Sequence, residues 1–407
     1  MRRAVVLPFA ALLTAGLTAC GSAVAGSSQP AEVDIRKLDT GSYPTEPLNA
    51  HDDDYQPDFV TMPHIAAMRL SDFVLPAYEI DPHLKYGQLP FEITRGGLPG
   101  ELGSEGDMKP IAERNKLLFG FKTTGFDQKT TIVPSAWPIK TTQHATTIST
   151  MVMQFPDPER ATAAAAQFYD ADLGANREQN QPVPLPNYPT AHAHWRPGTP
   201  FLRATLAHGS YVVAFLVSTN EPDLSALTEL TEKSYAAQLP VLDQLKPLTD
   251  EELFDLPWDT DHLLSRALNP NKSERPAIGS QALYSLRGIV QYADDLSVAK
   301  QQFSAMNADR FAVSDGTIVA RTPDAAAAKK IVAERRTPAP IARDADAPPN
   351  VPDSACVENK RAAMDFDIKR FTCIVAYRQF AGFVTGDQLL DVQQRAAAQY
   401  AIFANSR

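Results

Sequence analysis

The stretch TTISTMVMQFPDPERATAAAAQFYDADL (146–173) decides the fold, because FAVSDGTIVARTPDAAAAKKIVAERR (311–336) repeats its layout. Each opens with a β-favouring run, Ile148 to Phe155 in one and Thr317 to Ala320 in the other. Each then carries the chemistry of a helix start. Asp157 and Thr322 are placed to cap, and Pro158 and Pro323 to fill the first helical position, where no donor is missed. Glu159 and Asp324 put negative charge on the helix N-terminus. Both continue into an alanine run, 163–166 and 325–328, the residue with the best helix propensity.

The parallel extends outward. Each helix is followed by a proline-rich loop, NREQNQPVPLPNYPT (176–190) and TPAPIARDADAPPNVP (337–352). A strand pair comes next: FLRATLAHGSYVVAFLVST (201–219), turning at Gly209-Ser210, and RFTCIVAYRQFAGFVTG (370–386). Each copy closes on an amphipathic helix. Leu389, Val392, Ala396, Tyr400 and Phe403 form its stripe in one, and Leu227, Leu230, Tyr235, Leu239 and Leu242 in the other. The expected fold class is therefore α+β: two tandem repeats of a β-α-β-β-α unit, with helices packed on mainly antiparallel sheets. The boundary falls in LKPLTDEELFDLPWDTD (245–261), giving an N-terminal domain over 31–250 and a C-terminal domain over 251–407. Ahead of the first copy, VDIRKLDTGSYPTEP (33–47) reads as an ordered, extended lead-in, LFGFKTTGF (118–126) as a short element and RGGLPGELGSEGD (95–107) as a loop.

The chain begins MRRAVVLPFAALLTAGLTAC (1–20). Arg2 and Arg3 precede an apolar run that is short for a membrane span, the layout of a secretory signal over 1–19. Leu17-Thr18-Ala19-Cys20 resembles a bacterial lipobox. That resemblance implies cleavage before Cys20, acylation of its thiol and anchoring to the cell membrane as a lipoprotein, since two or more acyl chains hold where one does not. Residues 20–30 then supply the lipidated cysteine and a flexible tether reaching roughly 15–20 Å. In an oxidising compartment the remaining pair, Cys356 and Cys373, is expected to form a disulfide, with two buried thiols as the alternative.

Composition narrows the partners. The 407 residues are 44% hydrophobic, enough for real cores, and carry 33 prolines. The net charge of −10 becomes −12 once Arg2 and Arg3 leave with the signal. A negative surface argues against nucleic acid and against attraction to anionic headgroups, so the acyl anchor carries the membrane association.

Candidate sites are few. His192 and His194 alternate on a strand, so their rings share a face, and His208 on the facing strand would be a third metal ligand. The structural alternative is an edge strand with half-exposed histidines. It is favoured because no cysteine or HExxH pattern lies near, and because Cys356 and Glu358 stand in a comparable place in the second copy. His51, Asp52, Asp53, Asp54 and Asp58 lack the glycine and distal glutamate of an EF-hand loop and read as a solvated turn. The glycines of 95–107 match no nucleotide-binding pattern, and there is no GxSxG elbow. Trp137, Trp195 and Trp258 read as core or rim residues. No metal, cofactor or catalytic residue is expected.

The lipobox, VDIRKLDTGSYPTEP, LLFGFKTTGF and PDPERATAAAAQFYD together resemble an uncharacterised lipoprotein family of mycobacteria, nocardiae and related actinobacteria. The resemblance covers nearly the whole mature chain and implies a cell-envelope location without an assigned activity. The second copy, through FTCIVAYRQFAGFVTG, resembles more distantly the extracellular sensor domains of mycobacterial Ser/Thr kinases. The leading expectation is a non-enzymatic envelope lipoprotein that binds a ligand or partner protein, in a cleft between the copies. The alternatives are an envelope hydrolase with a dispersed acid/base site and a regulatory, sensor-like lipoprotein.

Overall fold

A computed structural model of the chain describes residues 33–48, 58, 60–129, 145–270, 280–335, 342–360 and 369–406. The signal segment, Cys20, the tether, His51 to Asp54 and Trp137 lie outside the described residues.

The first domain runs α1 (Met62–Ser71), α2 (Ala77–Ile80), β1 (Tyr86–Ile93), α3 (Glu105–Arg114), β2 (Phe119–Phe126), β3 (Thr147–Gln154), α4 (Pro158–Ala175), β4 (Gln181–Pro182), β5 (His192–Trp195), β6 (Phe201–His208), β7 (Tyr211–Ser218), α5 (Leu224–Leu242) and α6 (Asp250–Phe254). The second runs β8 (Gln281–Tyr284), α7 (Leu286–Val290), α8 (Leu296–Ala305), β9 (Arg310–Ser314), β10 (Thr317–Arg321), α9 (Ala325–Arg335), β11 (Ala342–Ala345), β12 (Ser354–Asn359), β13 (Phe371–Tyr377), β14 (Phe380–Gly386) and α10 (Leu389–Asn405). Each domain holds one seven-stranded sheet, ordered β1-β2-β3-β7-β6-β5-β4 and β8-β9-β10-β14-β13-β12-β11, with every pairing antiparallel.

The tandem α+β layout is therefore present, but the expected five-element unit is too small. Each domain is a three-strand meander, a helix, a four-strand meander and a closing helix. The proline-rich stretches hide the difference, because they carry the short edge strands β4 and β11. Proline is tolerated at an edge, where its missing N–H faces away from the ladder. The helix start of the second copy also sits differently. Asp324, not Thr322, accepts from Ala327 N and caps α9, while the Thr322 hydroxyl bonds the carbonyls of Asp324 and Gln379. The motif common to both copies is Pro-Asp: Pro156-Asp157 ahead of α4, where Asp157 accepts from Arg160 N, and Pro323-Asp324 ahead of α9.

Two hairpins set the register. β6 and β7 join through Gly209-Ser210, with His208 paired to Tyr211 and Gly209 at φ 56°. β13 and β14 join through Arg378-Gln379, with Tyr377 paired to Phe380 and Arg378 at φ 48°. Aligning these turns places Ala193 and Ala204 of the first sheet where Cys356 and Cys373 stand in the second. Cys356 and Cys373 are cross-strand partners and form a disulfide between β12 and β13. The strand β5 corresponds to β12 as expected, but the register sets the histidines opposite Ala355 and Val357 rather than Cys356 and Glu358.

Both faces of each sheet are covered. In the first domain α1, α2 and α5 cover one face with Phe119, Phe121, Val152 and Phe215, and α3 and α4 cover the other with Ile93, Met151, Met153 and Val212. In the second, α10 packs on one face and α7, α8 and α9 on the other. The lead-in 33–47 folds against α10: Tyr43 Oη donates to Asp391 at 2.5 Å and Gln394 Nε2 to Asp39 at 3.0 Å.

Helix α1 is apolar nearly all round because it is shared. Met62, Ala66 and Leu70 enter the first core, and Met68 enters the second. Next to it Asp72 accepts from Ser285 N at 3.0 Å and Ser285 Oγ at 2.7 Å, with Arg310 at 3.3 Å. Burial raises the Asp72 carboxyl, and those partners oppose the rise. The expected cleft between the copies is thus closed by packing and hydrogen bonds at this point.

Candidate functional site

One opening lies within the first domain, at the start of α1. It is a cavity of about 450 Å³ lined by Met62, Pro63, Leu118, Leu253 and Phe254, with His64, Arg95 and Asp250 among its polar groups. Each wall has a local cause. Pro63 sits in the first turn of α1, where it misses no bond. The buried amide of Gln154 grips Leu248 through both its N–H and its C=O, donating to the Leu248 carbonyl at 2.7 Å and accepting from Leu248 N at 3.1 Å. That clamp positions α6, whose Thr249-Glu252 capping box starts the helix that brings Leu253 and Phe254 to the cavity. Arg95 Nε donates to the Leu117 carbonyl at 2.7 Å, and His64 Nδ1 contacts Glu92. Apolar walls with a few fixed polar groups, at this volume, make a small-molecule or side-chain pocket.

A second, polar site lies on the opposite face of the same sheet, under α4. Across the strands Lys122, Met151, Ala214, Thr205 and His192 form one row, and Arg203 pairs with His194 in the next. Lys122 is 6% exposed and reaches Glu101 of the glycine-rich stretch. Arg203 Nε donates to the Glu101 carbonyl at 3.1 Å, and its Nη1 to Asp172 at 3.3 and 3.4 Å. His194 Nε2 lies 3.1 Å from Asp172 Oδ2. The 95–107 stretch is thus a flap over buried charge rather than a phosphate loop.

The three histidines weighed as metal ligands, His192, His194 and His208, do not come together. His192 stacks on Tyr169 at 5.2 Å between centroids, and Tyr169 also meets His194 at 5.8 Å. His208 is at the far end of β6 and bonds Asp243 at 2.5 Å. Among the described residues no three His, Cys, Asp or Glu side chains converge as metal ligands. An aspartate-held imidazole is also the pairing that orients a catalytic base. The nearby Thr205 hydroxyl, however, is committed to the Ala165 carbonyl at 3.0 Å. Of the other candidates, Asp58 accepts from Thr61 N at 2.7 Å, Trp195 Nε1 donates to the Thr199 carbonyl at 2.7 Å, and Trp258 is buried against the α10 side of the second core.

Glu101, Lys122, Asp172 and Arg203 escaped the sequence reading. One signal was available. Lys122 and Arg203 are the only Lys or Arg in LFGFKTTGF and FLRATLAH, and a charge inside a two-sided buried strand needs a partner.

Among the described residues no helix is long and apolar enough to cross a membrane. No curated protein matches the chain. In structure, the extracellular domain of PknH from Mycobacterium tuberculosis is similar over 47% of this chain and 99% of that one, at 12% identity and a TM-score of 0.32. Residues 53–258 match the N-terminal part, and residues 263–406 the C-terminal part, of a family described as a domain of unknown function, DUF7373. With both parts present in tandem, the chain belongs to the DUF7373 family.

Proposed function

We propose that this protein is a lipoprotein of the cell envelope, held at the membrane through Cys20, that binds an apolar ligand or partner segment without transforming it. The observation that carries the binding reading is the cavity of about 450 Å³ at the start of α1, walled by Met62, Leu118, Leu253 and Phe254. A volume in the range of known ligand sites, with apolar walls, suits an apolar occupant. The sequence around Cys20 supports the anchor, and a net negative charge leaves the acyl chains to hold the membrane.

Native mass spectrometry of residues 21–407, recovered from the host envelope without denaturation, tests the binding reading. A reproducible added mass that disappears in Leu253→Arg supports it. A bare mass, together with no cross-linked partner at the α1–α6 face in intact cells, refutes it. The anchor has a separate test. Cys20→Ala is expected to abolish acylation and release the protein from membranes, and membrane retention of an unacylated protein would refute that part alone.

A further inference from the structure

We propose a second binding site, for a small oxyanion such as a carboxylate or phosphate group, beneath the C-terminal end of α4. It is a cavity of about 80 Å³ lined by Asp172, Asn176, Asn180, His194, Arg196 and Arg203. This volume holds a few heavy atoms, enough for one carboxylate or phosphate group and roughly two or three waters' worth of space.

The case rests first on unspent donors. His194 is 6% exposed, and with Nε2 on Asp172 its unpartnered Nδ1 is a donor when the ring is doubly protonated. Arg196 Nε is likewise buried without a partner, and the Arg196 guanidinium makes no ion pair among the described residues. Arg203 spends Nε on the Glu101 carbonyl and Nη1 on Asp172, which leaves Nη2. The cavity is lined by a single carboxylate, Asp172, and Arg203 and His194 already engage it. Two guanidinium groups against one carboxylate leave an excess positive charge, and Arg forks bind carboxylate and phosphate two-handed. The helix end itself does not compete, because Asn180 Nδ2 covers the Asp172 and Leu173 carbonyls at 3.3 and 3.2 Å.

The second domain supplies an independent comparison. The row that reads Lys122, Met151, Ala214, Thr205, His192 in the first sheet reads Val313, Ile318, Phe383, Ile374, Ala355 in the second. The positions of Arg203 and His194 hold Thr372 and Val357. The same strand order is thus built once with an apolar row and once with buried charge. Buried charge costs stability unless fully paired. Its presence in one copy only, beside a cavity with unpaired donors, points to a ligand rather than to the needs of the fold. The site lies across the sheet from the apolar cavity and does not depend on that reading.

The test is calorimetric titration of residues 21–407 with sodium acetate and, separately, with inorganic phosphate, each against sodium chloride at matched ionic strength. Histidine ring NMR of the same samples reads out His194. Saturable binding of either anion above the chloride control is expected, with a shift of one buried histidine resonance. Arg196→Gln should weaken it at least about tenfold, as loss of a charge-assisted bond does, and Arg196→Lys should restore part of it. Acetate alone would identify a carboxylate ligand, and phosphate alone a phosphate. The absence of saturation by both anions in the wild-type chain overturns the proposal. So does binding that Arg196→Gln leaves unchanged.

Discussion

If the buried charge under α4 serves a ligand and not the fold, removing it piecemeal and removing it whole should have opposite consequences. Arg203→Thr takes the residue that the second domain uses at this position. It strands Asp172, whose side chain is 11% exposed and keeps only His194 at 3.1 Å. Breaking a buried pair by deleting one partner costs about 3–5 kcal/mol, and Arg203, at 29% side-chain exposure, belongs at the low end, about 3 kcal/mol. The triple variant Asp172→Ala, His194→Val, Arg203→Thr removes Asp172 with both of its partners and copies Val357 and Thr372. Removing a buried charge together with its partners leaves no stranded charge, so the triple variant should be more stable than Arg203→Thr alone. Urea unfolding followed by circular dichroism, with the denaturant slope checked for constancy, measures both. The reasoning fails if the triple variant is as unstable as the sum of its single changes, since the charge would then be structural. It fails equally if Arg203→Thr alone costs nothing.

Three further outcomes follow from the packing. Replacing both Cys356 and Cys373 by Ala opens a cross-link between positions 17 apart and should cost about 3 kcal/mol in the chain-entropy account, read as a lower urea midpoint that reductant does not lower further. A Cβ on Gly288 would lie 2.5 Å from Asp72 Oδ1 and 2.9 Å from Ser71 Oγ, so Gly288→Ala should loosen the contact between the domains by about 1–3 kcal/mol, seen as faster hydrogen exchange in α1 with the far edge of each sheet unchanged. Glu358 is gripped by Arg343 at 2.6 Å and Arg370 at 2.8 Å, which hold its carboxyl down at about 2. Its contribution is complete above the ordinary glutamate value of 4.5 and is lost as pH falls from there toward 2, so the protection of β11 and β12 amides, relative to their intrinsic exchange rate at each pH, should fall with acid in wild type and fall less in Glu358→Gln.

What could be read from the sequence divides along a physical line. The buried hairpins β6–β7 and β13–β14 and the stripes of α5 and α10 were legible, because apolar periodicity is local and strong there. The edge strands β4 and β11 were not. Two to four residues inside a proline-rich stretch carry no period, and only pairing with a neighbour makes them strands. Thr322 was read as the cap and Asp324 as charge on the helix N-terminus, but the Gln379 carbonyl takes the Thr322 hydroxyl from 57 residues away and Asp324 caps instead.

The polar site was hidden for a related reason. Lys122, Glu101, Asp172 and Arg203 come from four segments, and their meeting depends on register across four strands. That register is set by a two-residue turn at Gly209, a feature that was legible. The same turn at Arg378 sets the second sheet, which is why position can be compared with position between the two domains. The comparison removes one ground of the first reading of the histidines. His192 and His194 were read as structural by analogy with Cys356, yet Cys356 corresponds to Ala193, on the other face of the sheet. The face that holds the disulfide is apolar in both copies, and Ala193 and Ala204 do there without a cross-link. The face under α4 is where the copies differ, with His194 and Arg203 set against Val357 and Thr372. That difference is what the binding site proposed under α4 of the first domain requires.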